Sequence, residues 1–140
     1  MATLGEAVVA LLTAGSPPAI TAPLFAGRAH HSTRAPFVIY QQPGRDGFAD
    51  TLDGAGSLVQ KTIQIDSYAT TYHAAHALAD QIRATLNGYR GTVSVGAASP
   101  QATIRIAAIR CINEIDIAED QTDPKEFRVL QEYLVTFAES

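Results

Sequence analysis

Cysteine is nearly absent from this chain of 140 residues: Cys111 stands alone. That excludes an intramolecular disulfide and any multi-cysteine zinc site, and it suits a protein that folds in a reducing cytoplasm. Long apolar runs are missing too, none approaching the roughly 18 to 20 residues of a membrane-spanning helix. The opening MATLGEAVVALLTAGS carries Glu6 and no basic residue, so it reads as a helix of the mature domain and not as a signal peptide. Positive charge is scarce. Ten Lys and Arg face fourteen Asp and Glu, a formal net charge of −4, which argues against a sequence-blind nucleic-acid binder driven by phosphate neutralisation.

The chemistry-bearing motifs are lacking as well. There is no Gly-x-Ser-x-Gly elbow, no His-Glu-x-x-His and no aspartate-rich calcium loop. Gly54-Ala55-Gly56-Ser57 has the composition of a phosphate loop, but a working loop needs a strand before it and a helix N-terminus after it. A strand follows here, so a turn is the better reading. What remains, 46% hydrophobic and 17% charged side chains, fits a single compact domain over residues 1–140.

Leu4, Ala7, Val8, Leu11 and Leu12 follow the period of about 3.6 residues that puts one apolar stripe on a helix. Gly15 and Pro17-Pro18 end it. Residues 16–34 are rich in Pro, Ala, Gly and Ser and read as an irregular connection pinned by Ile20, Leu24 and Phe25. Residues 36–42 are short, β-branched and aromatic, and Pro43-Gly44 closes them as a strand ending in a turn. Residues 45–57 hold Gly47, Gly54 and Gly56 and read as a loop or loose hairpin arm. From Leu58 the side chains alternate, with Val59, Ile63 and Ile65 against Gln60, Thr62, Gln64 and Asp66, as in a half-buried strand.

Residues 70–87 form the best-defined element, a helix with Tyr72, Ala75, Leu78, Ala79, Ile82 and Leu86 on one arc and His73, His76, Asp80, Arg83 and Asn87 beside it on a polar face. Thr70 or Thr71 caps its start and Asn87-Gly88 its end. Residues 91–100 read as small and flexible, followed by strands over 103–112 and 126–137. Both late strands are apolar on both faces, which a sheet with one wet face does not need. Helices cover one face and protein covers the other, or another subunit does. The expectation is therefore α+β: an antiparallel four-stranded sheet carrying two helices, in the order α-β-β-α-β-β.

His73, His76 and Asp80 lie close on one helix face and have the donor types of a zinc site with a water as fourth ligand. The ordinary reading is a solvated polar edge with His76 and Asp80 as an i,i+4 pair. Cys111, between apolar neighbours in a strand, reads as a small buried hydrophobe. Between Asn113 and Glu126 six acids (Glu114, Asp116, Glu119, Asp120, Asp123, Glu126) meet only Lys125, which reads either as a solvated loop or as a functional acidic surface. The long glycine-containing loop is expected to project and touch a neighbour, with Arg45, Asp46, Phe48, Leu52, Asp53 and Leu58 as the contact candidates.

An ordered series of segments runs through nearly the whole chain: the N-terminal helix, Ala35-Pro36-Phe37-Val38-Ile39-Tyr40, Thr51-Leu52-Asp53-Gly54, Ile63-Gln64-Ile65-Asp66-Ser67-Tyr68-Ala69, His76-Ala77-Leu78-Ala79-Asp80, Gly88-Tyr89-Arg90-Gly91 and Phe127-Arg128-Val129-Leu130-Gln131-Glu132-Tyr133. Taken together it resembles the tail completion, or tail terminator, family of long-tailed bacteriophages and of tail-like particles such as gene transfer agents. The resemblance implies an α+β subunit that assembles into a hexameric ring, caps the tail tube at its head-proximal end and meets the head-completion proteins. It implies no enzymatic activity and no cofactor, with genome DNA passing through the ring unbound. On that reading Glu114, Asp116, Glu119, Asp120 and Asp123 are candidates for the channel wall, since carboxylates repel a passing duplex over about 8 to 10 Å at physiological salt. A small oligomeric adaptor or binding module, a C2 dimer or a monomer, is the competing class, and a metal hydrolase built on His73, His76 and Asp80 is the third.

Overall fold

The computed structural model describes residues 4–14, 18–27, 35–41, 59–95, 102–119 and 126–139. The described elements are α1 (Leu4–Thr13), β1 (Leu24–Ala26), β2 (Phe37–Gln41), β3 (Val59–Ala69), α2 (Tyr72–Leu86), β4 (Gly91–Val95), β5 (Ala102–Glu119) and β6 (Glu126–Glu139).

The strands form one six-stranded sheet in the order β1-β2-β3-β6-β5-β4. β1 runs parallel to β2 and every other neighbouring pair is antiparallel, so the sheet is mixed, and it curls into a half-barrel. This corrects the expectation of a four-stranded antiparallel sheet. β1 was hidden because three residues between Pro23 and Gly27 are too few to show a period. β4, Gly-Thr-Val-Ser-Val, does alternate, with Val93 buried and Thr92 and Ser94 exposed, but its small residues read as a flexible link. The late strands also run further than their apolar stretches. β5 continues through the acidic residues to Glu119, because β6 supplies it with a hydrogen-bonding partner as far as the Glu119–Glu126 pair. Glu114 and Asp116 therefore lie on a strand and not in a loop.

Two register shifts, between Ile106 and Ala108 and between Cys111 and Asn113, interrupt the β5–β6 ladder. Bulges of this kind bend and twist a strand locally, which is how a long hairpin follows a curled sheet.

Both helices cover the same sheet face. On β6, Val129, Gln131, Tyr133, Val135 and Phe137 point toward them and are buried, while Arg128, Leu130, Glu132, Leu134 and Thr136 alternate onto the other face and are half-buried. No described element lies over that second face. The main core joins Leu4, Val8 and Leu12 of α1 to Leu78, Ile82 and Leu86 of α2 and to Ile63, Ile65, Ile104, Ile106, Tyr133 and Phe137 of the sheet.

Helix α2 begins where Thr71, in extended conformation, accepts a hydrogen bond from the Ala74 amide at 3.1 Å. It ends at Asn87, and Gly88 takes the left-handed φ of 85° that glycine adopts without a Cβ penalty. Two bonds then tie this terminus to β5 beyond the end of β4. The Gly88 amide donates to the Ile109 carbonyl at 2.8 Å, and the Cys111 amide donates to Asn87 Oδ1 at 2.9 Å. The helix end thus closes a stretch of strand edge that β4 leaves open. Asn87→Ala is expected to lower stability by about 1 kcal/mol, the typical net worth of one such bond, measured as a shift in the urea midpoint. A variant as stable as the parent shows that water satisfies Cys111 equally well.

Candidate functional site

The densest polar arrangement of the described residues lies where α2 crosses the distal half of the β5–β6 hairpin. Two alanines make the crossing close: Ala75 and Ala79 are buried against Ala69 and Val129, with Phe127 beside them. Small side chains on the helix let its backbone approach the sheet, and polar groups on β5 and β6 then come within reach of α2.

Gln131 is the centre of this seam. It is fully buried, and its Nε2 donates both to the Ala79 carbonyl at 3.1 Å and to Glu114 Oε1 at 2.7 Å. Its Oε1 accepts from the Tyr133 hydroxyl at 3.0 Å. Glu114 also receives Arg83 Nη1 at 2.6 Å, while Arg83 Nη2 holds Asp80 Oδ1 at 2.7 Å. Toward the helix N-terminus, the Tyr72 hydroxyl donates to Asp116 Oδ2 at 3.1 Å and His76 Nε2 stands 2.9 Å from Asp116 Oδ1. The two strand carboxylates are thereby tied to two successive stretches of the helix.

The electrostatics follow from these contacts. Glu114, with help from Asp80, raises the Arg83 guanidinium further above its ordinary value. The hydrogen bond and charge of Asp116 push the Tyr72 phenol up, and burial does the same for the Cys111 thiol. Burial raises Tyr133 most, well above its ordinary value of 10.0. The neutral phenol is thus favoured in the folded state, so Tyr133 contributes stability that is present below pH 10 and is lost as pH rises beyond it. Stability is expected to decline from about pH 10 upward, and Tyr133→Phe should make the decline shallower. Equal slopes for the two proteins in alkaline denaturation show that Tyr133 does not govern it.

Beside this seam a cleft of about 190 Å³ opens between Tyr72 and His76 of α2, Asp116 and Ile117 of β5 and Phe127 and Arg128 of β6. Its lining is mainly apolar. Tyr72, placed by its helical phase on the buried arc, is half exposed at the mouth of this cleft. Its partners there, Asp116 and the His76 ring 4.4 Å away, explain why it stays at the rim.

The zinc constellation does not converge. His76 turns to Asp116 and Asp80 to Arg83, while His73 is exposed with its ring 6.0 Å from that of Tyr72. Cys111 is half-buried, its thiol 3.5 Å from the Asn113 carbonyl. Of the acidic candidates, Glu114 and Asp116 sit on the helix-covered side of β5, and Glu119 closes the strand. Asp120 and Asp123 lie outside the described residues, as do Arg45, Asp46, Phe48, Leu52, Asp53 and Leu58. Sequence reasoning missed Gln131. The signal was present: a glutamine in the buried phase of a strand, between Val129 and Tyr133, needs partners from elsewhere in the fold.

No protein-family model matches the chain, and no curated protein matches it. Among solved structures, a chain of the virion of a native gene transfer agent (GTA) particle matches with a TM-score of 0.65 at 14% sequence identity, covering 96% of this chain and 94% of that one. The two chains share a fold. The likeness spans both chains almost end to end, so it concerns the whole helix-and-sheet arrangement and not one hairpin.

Proposed function

We propose that this chain is a structural subunit of a phage-like or gene-transfer-agent-like particle, and within it the tail terminator. The observation that carries the reading is the shared fold with a chain of a gene transfer agent virion, over 96% of this chain. The ordered sequence resemblance to tail completion proteins points the same way. In this role the protein forms a ring, expected to be hexameric, that caps the tail tube at its head-proximal end and presents a surface to the head-completion proteins. Assembly takes place in the host cytoplasm, and the finished ring resides in the virion tail. The role is structural and not catalytic.

Physical features agree with it. The sheet face opposite the helices has no described cover and carries half-buried leucines, Leu130 and Leu134, a composition suited to a neighbour. A net charge of −4 disfavours retention of DNA along a channel.

Negative-stain imaging of the purified protein, alone and with its tail tube protein, tests the proposal. Closed rings and capped tube ends are expected. A monomer or a C2 dimer that leaves tube ends bare overturns the terminator reading and returns the chain to the adaptor class.

A further inference from the structure

The described cations are unevenly used. Arg83 is held by Glu114 and Asp80, and Arg128 by Asp66. Arg90, Arg105 and Arg110 are exposed, and no acidic side chain of the described residues pairs with any of them. They fall along the N-terminal half of β5: Arg105 and Arg110 belong to the strand, and Arg90 stands just before Gly91, which pairs with Ile106. Arg105 pairs in register with Thr92 of β4 and Ala138 of β6, and Arg110 with Leu134, which places both on the sheet face away from the helices. Arg90 precedes β4 and shares with Arg105 a cleft of about 250 Å³.

The next stretch of β5, on the helix-covered face, has the opposite character. The side chains of Glu114 and Asp116 remain 30% and 49% exposed even with their helix partners in place. A carboxylate has about four lone-pair sites, so each can accept further donors. We propose that Arg90, Arg105 and Arg110 form the docking surface for a second copy of this chain, which meets them with the carboxylates of Glu114 and Asp116.

Three guanidiniums without an acidic partner among the described residues, on a chain of net charge −4, are complementary to the acidic remainder of its own surface. Guanidinium also matches carboxylate geometry in a bidentate fork. The two surfaces lie on opposite faces of the sheet, so one molecule cannot bring them together. A contact between unlike patches is heterologous, the type that closes into a ring when its rotation allows. The inference rests on the ring reading and deepens it by assigning the subunit contact.

The test compares the full chain with Arg105→Glu/Arg110→Glu by sedimentation velocity at low and high salt, with thermal melts to show that both proteins fold. Reversing two exposed arginines is expected to weaken assembly about tenfold to a hundredfold, since each lost pair is replaced by repulsion. Arg105→Ala/Arg110→Ala should lie between. Asp116→Arg should assemble poorly alone, and an equimolar mixture of it with Arg105→Glu/Arg110→Glu should recover association. Wild-type rings whose stability is unchanged by the arginine reversal overturn this contact and leave the ring reading standing. A wild-type chain that stays monomeric at every concentration overturns both. If the reversal instead abolishes an electrophoretic shift of duplex DNA while assembly is unaltered, the patch is a phosphate surface and the proposed contact is wrong.

Discussion

Ile82→Ala is expected to lower stability by about 2 to 5 kcal/mol, the range for truncating an enclosed aliphatic side chain. Ile82 is fully buried on α2 and belongs to the same cluster as Ile63, Leu86 and Tyr133. Alanine removes three carbon atoms and leaves a void that the surrounding strands cannot close, because the ladders of β3 and β6 fix their spacing. The thermal midpoint should fall by about 8 to 20 °C for a domain of this size. Gln81, the adjacent exposed residue, is the control: Gln81→Ala should stay within about 0.5 kcal/mol of the parent. A pair of melts in which Gln81 matters and Ile82 does not would show that the helix presents a different face to the sheet.

The second large effect concerns Gln131. Gln131→Leu keeps the volume of the side chain but removes its donors and its acceptor. The buried Tyr133 hydroxyl then loses its acceptor at Gln131, and Glu114 and the Ala79 carbonyl each lose a donor. An orphaned buried polar group costs about 1 to 3 kcal/mol, so the variant should lose about 2 to 4 kcal/mol. Adding Tyr133→Phe to Gln131→Leu removes the stranded hydroxyl. The double variant should therefore be more stable than the sum of the two single losses implies. Strict additivity in denaturant titrations rejects the direct Gln131–Tyr133 coupling. The same experiment bears on assembly, since Gln131 positions the Glu114 carboxylate that the proposed subunit contact uses.

Local pattern was a good guide to single elements and a poor one to their partners. The apolar spacing from Leu4 to Leu12 and from Ala75 to Leu86 marks both helices and most of their buried positions, because a helix satisfies its own backbone and its stripe is written in consecutive residues. Thr71 and Gly88 mark the ends of α2 for the same reason. β4 and the acidic half of β5 were less legible, since a strand is completed by a partner far away in the chain. Glu114 and Asp116 are strand residues because β6 runs beside them, and no local preference of Asp or Glu announces that.

The polar seam divides in the same way. That His76, Asp80 and Arg83 share one side of α2 follows from helical spacing, and Arg83–Asp80 is an i,i+3 pair. Which of them meets which carboxylate depends on Ala75 and Ala79 letting the helix settle onto β6, and on the register that sets Glu114 opposite Gln131 and Asp116 opposite Val129. The metal constellation dissolved on this point: its residues were near one another in sequence, but β5 supplied His76 with Asp116 while Arg83 of the helix itself took Asp80.

The amino-acid sequence by itself determined the helices, their caps, the alternation of β3, the two-faced character of the late strands and the lack of recognisable catalytic motifs. These are properties of contacts within a few residues. Only the tertiary structure decided that the sheet has six strands in mixed order, that one of its faces carries both helices, and that Arg105 and Arg110 stand on the face opposite the strand carboxylates Glu114 and Asp116. Those features come from pairings between residues distant in the chain, whose energies depend on the whole fold and not on local preference.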